Sequence, residues 1–277
     1  MNRSVCKMKK VLTIAGSDSG GGAGIQADIK TFQELGVFGM SAITAVTAQN
    51  TLGVHGIHPL PPSFVEEQMD AIATDLSPDA VKTGMLVDRE MISIVAASIE
   101  QRGWRRVVVD PVMVAKGGAS LLHEGAVDAL IHKLIPLSYV ITPNLPEAEK
   151  MTGIKIHSME DQKKAAKIIH TMGADNIIIK GGHLQDSASD LVTDLLYDGE
   201  HFHTFTSRRF HTRHTHGTGC TYSAAITAQI AKGHTVHEAV SLAKTFISSA
   251  IEHTLELGEG HGPTNHQAFR EFSKQLK

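Results

Sequence analysis

The chain has 277 residues, 42% of them hydrophobic, enough to bury a sizeable core in one large α/β domain or two small ones. Its net charge of −3 argues against a nucleic-acid binder, although a local cationic pocket for a small anion stays open. No apolar run approaches a membrane span, and the basic start MNRSVCKMKK lacks the apolar region and cleavage site of a signal peptide. The two cysteines, Cys6 and Cys220, make no disulfide framework, so a reducing cytoplasm is the expected setting.

Apolar and amphipathic runs alternate along nearly the whole chain. Val11 to Ala15 is a predicted buried strand, followed by a helix near Ala23 to Leu35 and a strand from Ser41 to Ala48. Pro61 and Pro62 precede a helix from about Ser63 to Leu76. A short strand at Ala80 to Thr83 and a helix at Asp88 to Gln101 come next. Arg106 to Asp110 contains VVVD, the clearest buried strand. Glu124 to Leu134 is helical in pattern, Tyr139 to Thr142 a strand and Glu147 to Met151 a short helix. Ser158 to Met172 is an amphipathic helix with a Ser cap and Asp161 three residues on. Asn176 to Lys180 is another buried strand.

The rhythm then changes. Leu191 to Tyr197 and His201 to Thr206, joined by Asp198-Gly199, predict a β-hairpin. Two helices, near Thr221 to Ala231 and Val236 to Leu255, close the chain. Alternating strands and helices predict a mostly parallel sheet covered on both faces, with antiparallel strands added late. Ligands in such sheets bind beyond the carboxyl ends of the strands. No repeat, low-complexity segment or linker divides the chain. We therefore expect one domain over 1–277, with 1–9 a ragged start and 268–277 a tail.

The stretch THGTGCTYSAAITAQIAKG, Thr215 to Gly233, is a glycine-rich loop feeding a helix that stops at a glycine. A helix start offers free N–H groups and partial positive charge, which suits an anion. Cys220 stands at its mouth, where a thiol is expected to have a lowered pKa and to serve as base or nucleophile; an ordinary loop with a buried Cys is the plainer alternative. The loop Gly16 to Gly24 could hold a ligand against bare backbone or be a tight turn. It has neither the spacing of a dinucleotide fingerprint nor the Lys-Ser/Thr of a Walker A loop.

Asn144 and Glu147 leave a strand three residues apart, a spacing that suits either water-mediated Mg²⁺ binding or a helix capping box. Lys180, followed by two glycines, could meet a phosphate or be a solvated turn Lys, and Lys244 on the last long helix suggests a surface Lys. Asp110 could orient a cation or phosphate, or simply end its strand before Pro111. Gln49 offers paired donor and acceptor groups to a heterocycle edge, or lies in a surface loop. His211, His214, His216 and Cys220 crowd together without a zinc-site spacing, and no hydrolase motif is present.

Seven segments, TIAGSDSGGGAGIQADIKTFQELGVFG, TAVTAQNTLGV, AVKTGML, VVVDPVM, ITPNLPEAE, IIKGGH and THGTGC, resemble those of hydroxymethylpyrimidine and phosphomethylpyrimidine kinases, in the same order. The resemblance runs from about Lys10 to Gln267. It implies a ribokinase-like three-layer α/β/α sandwich, ATP with Mg²⁺, and two successive phosphorylations of 4-amino-5-hydroxymethyl-2-methylpyrimidine in thiamine biosynthesis. It assigns Gln49, Gly16, Asp18, Met85 and Val112 to the pyrimidine. Asn144, Lys180, Thr218 and Lys244 go to ATP, and Glu147 and Asp110 to the metal. Gly217, Gly219 and Cys220 are the catalytic anion loop, with Cys220 where the superfamily's sugar kinases carry an Asp base.

The same resemblance suggests a homodimer. Its nearest rival is pyridoxal kinase; Ala115, where that branch tends to carry a second Cys, and the intact Ala48 to Thr51 favour the pyrimidine. A non-catalytic binding protein or a dinucleotide oxidoreductase are alternatives of other classes, weakened respectively by the intact motifs and the missing fingerprint.

Overall fold

The computed structural model describes residues 8–114, 121, 125–183 and 190–272. Cys6 and Ala115 lie outside the described residues. The strands are those that apolar runs dictate. In β1 (Lys10–Asp18), Val11 faces one side of the sheet while Leu12 and Ile14 face the other, and all are buried. The same alternation recurs in β5 (Val107–Val109) and β7 (Asn176–Ile179). A strand buried on both faces has no polar side, which is why it is apolar throughout.

Nine strands form one sheet in the order β3-β2-β1-β4-β5-β6-β7-β8-β9. The inner strands β2 (Phe38–Asn50), β1, β4 (Ala80–Thr83), β5, β6 (Val140–Ile141) and β7 pair in parallel. The expected hairpin is β8 (Leu191–Tyr197) and β9 (Phe202–Arg208), antiparallel to β7 and to each other. An unforeseen strand, β3 (Gly53–Pro59), pairs antiparallel with β2 at the opposite edge. Its sequence GVHGIHP lacks apolar alternation, and mostly exposed edge strands need none.

One face is covered by α2 (Pro62–Asp75), α3 (Arg89–Gln101), α4 (Ala126–Ala129), α5 (Leu145–Thr152) and α6 (Met159–Thr171), around Met69, Val95 and Ile169. The other is covered by α1 (Gly24–Glu34), α7 (Thr218–Lys232) and α8 (Val236–Glu252), around Phe32, Ile226 and Phe246. The layers are the expected α/β/α sandwich. Four local expectations change. The helix expected to Leu134 is only one α turn; it continues as a π turn (Leu130–Leu134) and a 3₁₀ turn (Ile135–Leu137), where Pro136 has no N–H to donate backward. The helix α7 starts at Thr218 rather than Thr221, because Gly217 at φ +82° caps it. The helix α8 ends at Glu252, short of Leu255. A short α9 (Ala268–Phe272) follows, with Phe269 against Phe246.

The strand order turns at β1, whose neighbours are β2 on one side and β4 on the other. Such a switch point opens a crevice at the carboxyl ends of the strands. The loops after β1, β5, β6 and β7 all leave there.

Candidate active site

The first wall of the crevice is the glycine loop after β1. Asp18, buried at the end of β1, accepts Gly20 N–H through Oδ1 (2.8 Å) and Gly22 and Ala23 N–H through Oδ2 (3.0 and 2.8 Å). His216 Nε2 lies 2.9 Å from the same Oδ2. Burial favours the neutral acid, but the hydrogen bonds from His216, Ala23 and Gly20 outweigh it and hold this carboxyl below its usual value. The expected substrate contact at Asp18 is thus a carboxylate already engaged in shaping the loop. Ser19 Oγ donates to the Gln49 carbonyl and accepts from its N–H, both at 2.8 Å, which ties the end of β2 to this loop. Gly16 lets the strand approach Met85: a Cβ there would stand 2.4 Å from Met85 Cε.

The second wall is the start of α7. Gly217 packs so closely that a Cβ would lie 1.8 Å from the Gly22 carbonyl oxygen. No side chain caps the helix and no acidic residue occupies its first turn, so its N-terminal dipole opens on the crevice, where Lys180 Nζ and Asp110 Oδ2 both lie near Gly219. Cys220 lies in that turn and lines the cavity. The expectation of a lowered thiol pKa is overturned. Burial pushes the thiol up, to about 11, against the opposing charge of Lys82. Desolvation, with the like charges of Asp28 and Asp110 beside it, outweighs that attraction.

The third wall carries the charges. Lys180, at the end of β7, lies 3.1 Å from Asp110 Oδ1 after β5 and is largely buried, so the solvated turn Lys is not what the structure shows. A Cβ on Gly219 would stand 3.5 Å from Lys180 Nζ, which places this ammonium above the α7 start. Burial alone would lower the Lys180 pKa, but Asp110 and Glu147 raise it, so it is charged. Asp110 is likewise held low, because Lys180 and Lys82 outweigh its burial. Asn144 and Glu147 form the capping box of α5, with Glu147 N–H to Asn144 Oδ1 at 2.9 Å and Asn144 N–H to Glu147 Oε2 at 2.8 Å. Burial raises the Glu147 carboxyl to about 7, opposed by Lys180 and reinforced by Asp110. Lys244, expected on the surface, is buried on α8 and pairs with Asp194 at 2.7 Å.

These walls enclose a cavity of about 750 Å³. Every residue that the resemblance assigned to the pyrimidine, ATP, the metal or the anion loop lines it: Gly16, Asp18, Gln49, Met85, Asp110, Val112, Asn144, Glu147, Lys180, Lys244 and Gly217 to Cys220. Three further lining residues receive no site role from the sequence. Lys82 is fully buried on β4, 2.9 Å from Asp28 Oδ2. Burial would lower its pKa, but Asp28, Cys220 and Asp110 raise it. His216 bridges Asp18 and Gln49, and Asp194 holds both Lys244 and the Gly181 N–H. A Lys inside the apolar run AVKTGML was the available signal for the first. Partners 198 residues apart for His216 and 50 apart for Asp194 and Lys244 leave no local signal.

Residues 18–265 match the family model described as phosphomethylpyrimidine kinase. The chain belongs to that family. It is 61% identical over 264 residues to the hydroxymethylpyrimidine/phosphomethylpyrimidine kinase of Bacillus subtilis, covering 95% of this chain and 97% of that one. It is 54% identical to the thiamine biosynthesis bifunctional protein ThiED of Geobacter sulfurreducens, covering 92% of this chain and 52% of that longer one. Among solved structures it is similar to the Staphylococcus aureus pyridoxal kinase in complex with AMP-PCP and pyridoxal, with TM-score 0.87 and 44% identity over 95% of this chain and 94% of that one. The family and the α/β/α fold implied by the resemblance are therefore both met.

Proposed function

We propose that this kinase transfers phosphate from ATP to the hydroxymethyl group of 4-amino-5-hydroxymethyl-2-methylpyrimidine and then to the resulting monophosphate, in thiamine biosynthesis. The observation that carries the reading is the convergence of residues from well-separated segments on one cavity, with a heterocycle-reading amide at one end and a cationic, anion-receiving end beyond it. Gln49 and the glycine loop hold the ring, with Met85 and Val112 as apolar walls. The N–H groups of Gly219 and Cys220 at the start of α7, with Lys180 above them, receive the phosphoryl group in flight. Lys244 and Asn144 belong to the nucleotide side.

Phosphoryl transfer is loose in character, so positioning and charge stabilisation matter more than strong activation of the alcohol. That suits Cys220. A thiol with a pKa of about 11 is neutral at pH 7, and we assign it to orient the attacking hydroxyl rather than to serve as a standing thiolate.

The donor set fits Mg²⁺ of the kind that keeps most of its waters. Asp110 is engaged by Lys180, Thr142 and Ser223, and Glu147 by the Asn144 N–H. No group of three metal-binding side chains gathers among the described residues. Asp110 and Glu147 would hold the ion mainly through water and phosphate oxygens, and the ion supplies charge neutralisation between the phosphates. We also propose one domain, a homodimer and a cytoplasmic setting. No helix among the described residues is long and apolar enough to cross a membrane.

Purified protein given MgATP is expected to consume it with the aminopyrimidine and to yield monophosphate, then diphosphate, by product chromatography. Turnover with pyridoxine alone would shift the substrate to the pyridoxal branch, which the likeness to a pyridoxal kinase makes the natural second reading. No turnover with either would favour a binding protein.

A further inference from the structure

We propose that His216 is a positioning residue that decides which way the Gln49 amide points, and so which edge of the substrate ring the site accepts. The inference rests on the functional reading above for the identity of that ring. His216 is itself firmly placed. Its N–H donates to Gly262 O at 3.0 Å, its carbonyl accepts from Thr264 N–H at 3.2 Å, and a Cβ on Gly22 would meet its ring at 2.6 Å.

The assignment follows from counting protons. Asp18 is a carboxylate that already accepts three backbone N–H groups, so it has no proton to give His216. The short contact between His216 Nε2 and Asp18 Oδ2, 2.9 Å, therefore needs the proton on Nε2. The end of the Gln49 amide that stands 3.1 Å from the same Nε2 must then be an acceptor. Two donors facing each other at that distance would repel and leave the Gln49 N–H unpaired, a costly arrangement in a half-buried contact.

A half turn of the amide removes the clash of donors, the single Nε2 proton being shared between Asp18 Oδ2 and Gln49 Oε1 as a three-centre bond. Oε1 then faces His216 Nε2–H, and the amide nitrogen faces Thr47 Oγ1, the contact of 3.2 Å at its other end. The Thr47 hydroxyl keeps its own proton for the Ser17 carbonyl at 3.0 Å.

The consequence is a fixed polarity in the cavity. The free lone pair of Gln49 lies on the His216 side and its free N–H on the Thr47 side. A ring edge that places an amino donor next to a ring-nitrogen acceptor matches this pair in one orientation, with the amino group toward His216. An edge without that pattern leaves one Gln49 group unmatched.

The test is a four-member cycle of wild type, H216F, Q49A and the double variant, with kcat and KM measured for the aminopyrimidine and for pyridoxine. H216F is expected to lower kcat/KM for the aminopyrimidine by about tenfold or more, through KM, and to leave the KM for ATP unchanged. In the Q49A background the same change should add less than about twofold. H216Q, which can return an N–H near the Nε2 position, should recover much of the loss.

An equal loss in both backgrounds, or no recovery with Gln, would reduce His216 to a packing residue and overturn the proposal. If H216F does not fold, His216→Asn, which withdraws the donor from the Nε2 position, carries the same cycle. If wild type turns over pyridoxine and not the aminopyrimidine, the functional reading fails separately, and the cycle run on pyridoxine still reads the coupling of His216 to Gln49.

Discussion

Two glycine-rich helix starts meet side by side at this cavity, and they are used in opposite ways. The loop entering α1 spends its N–H groups on the chain's own anion: Asp18 takes those of Gly20, Gly22 and Ala23. The loop entering α7 has no side-chain cap and no acid in its first turn. One carboxylate separates a finished structural element from a receptor for a ligand's charge. The two are interlocked, since Gly217 rests on the Gly22 carbonyl and Gly22 on the His216 ring. A glycine-rich loop before a helix is therefore not by itself a phosphate site; what matters is whether the protein has already filled it.

The most damaging way to break this comparison is Gly217→Ala. The backbone stands at φ +82°, which costs a side-chain residue about 1–3 kcal/mol, and the new Cβ would strike the Gly22 carbonyl oxygen. Since both loops move, turnover should fall by about 10³-fold or more, with a lower melting temperature. Steady-state kinetics beside thermal unfolding would show it, and near-normal turnover would mean that the α7 start does not hold the transferring group.

Cys220→Ala comes next. It should lower kcat by about 10²-fold with little change in KM for either substrate, because the interaction belongs to the reacting geometry. A pH series sharpens the point. With the thiol at about 11, alkylation of Cys220 should be slow at neutral pH and quicken about tenfold per pH unit toward that value. Rapid alkylation at pH 7 would restore the activated thiolate.

The smallest effect is expected on the filled side. Asp18→Asn should cost about 1.5–3 kcal/mol at pH 7, read by denaturant unfolding, because a buried carboxylate accepting several N–H groups is replaced by an amide with one acceptor. The folded pKa of Asp18 lies below its ordinary 3.8, so the stabilisation is present above that value and disappears as pH falls through the folded pKa. The gap between wild type and variant should close in acid. A gap that persists below the folded pKa would show that the charge of Asp18 is not what holds the loop.

What the sequence made legible follows from the range of each signal. Val107–Val109 and Ile177–Ile179 were plain as strands because burial on both faces writes an unbroken apolar run. β3 was missed because an edge strand carries no such constraint. The site residues were found where chemistry and glycine spacing fall in one short segment, as in Gly217 to Cys220 and Asn144 to Glu147. A helical Lys ordinarily faces water, so local sequence points Lys244 outward, while the Asp194 that draws it inward sits 50 residues earlier. For the Cys220 thiol, sequence shows the helix start that would lower its pKa and not the surrounding desolvation that raises it.

The contact between Asp18 and His216 joins positions 198 residues apart, and Pro263 then pairs in β fashion with His216. During synthesis the glycine loop of β1 emerges early, yet its partner appears only when most of the chain has been made. Long-range closures of this kind are slow relative to local ones. The nascent chain therefore carries an incomplete recognition site until its last quarter has folded back, and substrate can stabilise the molecule only after that step.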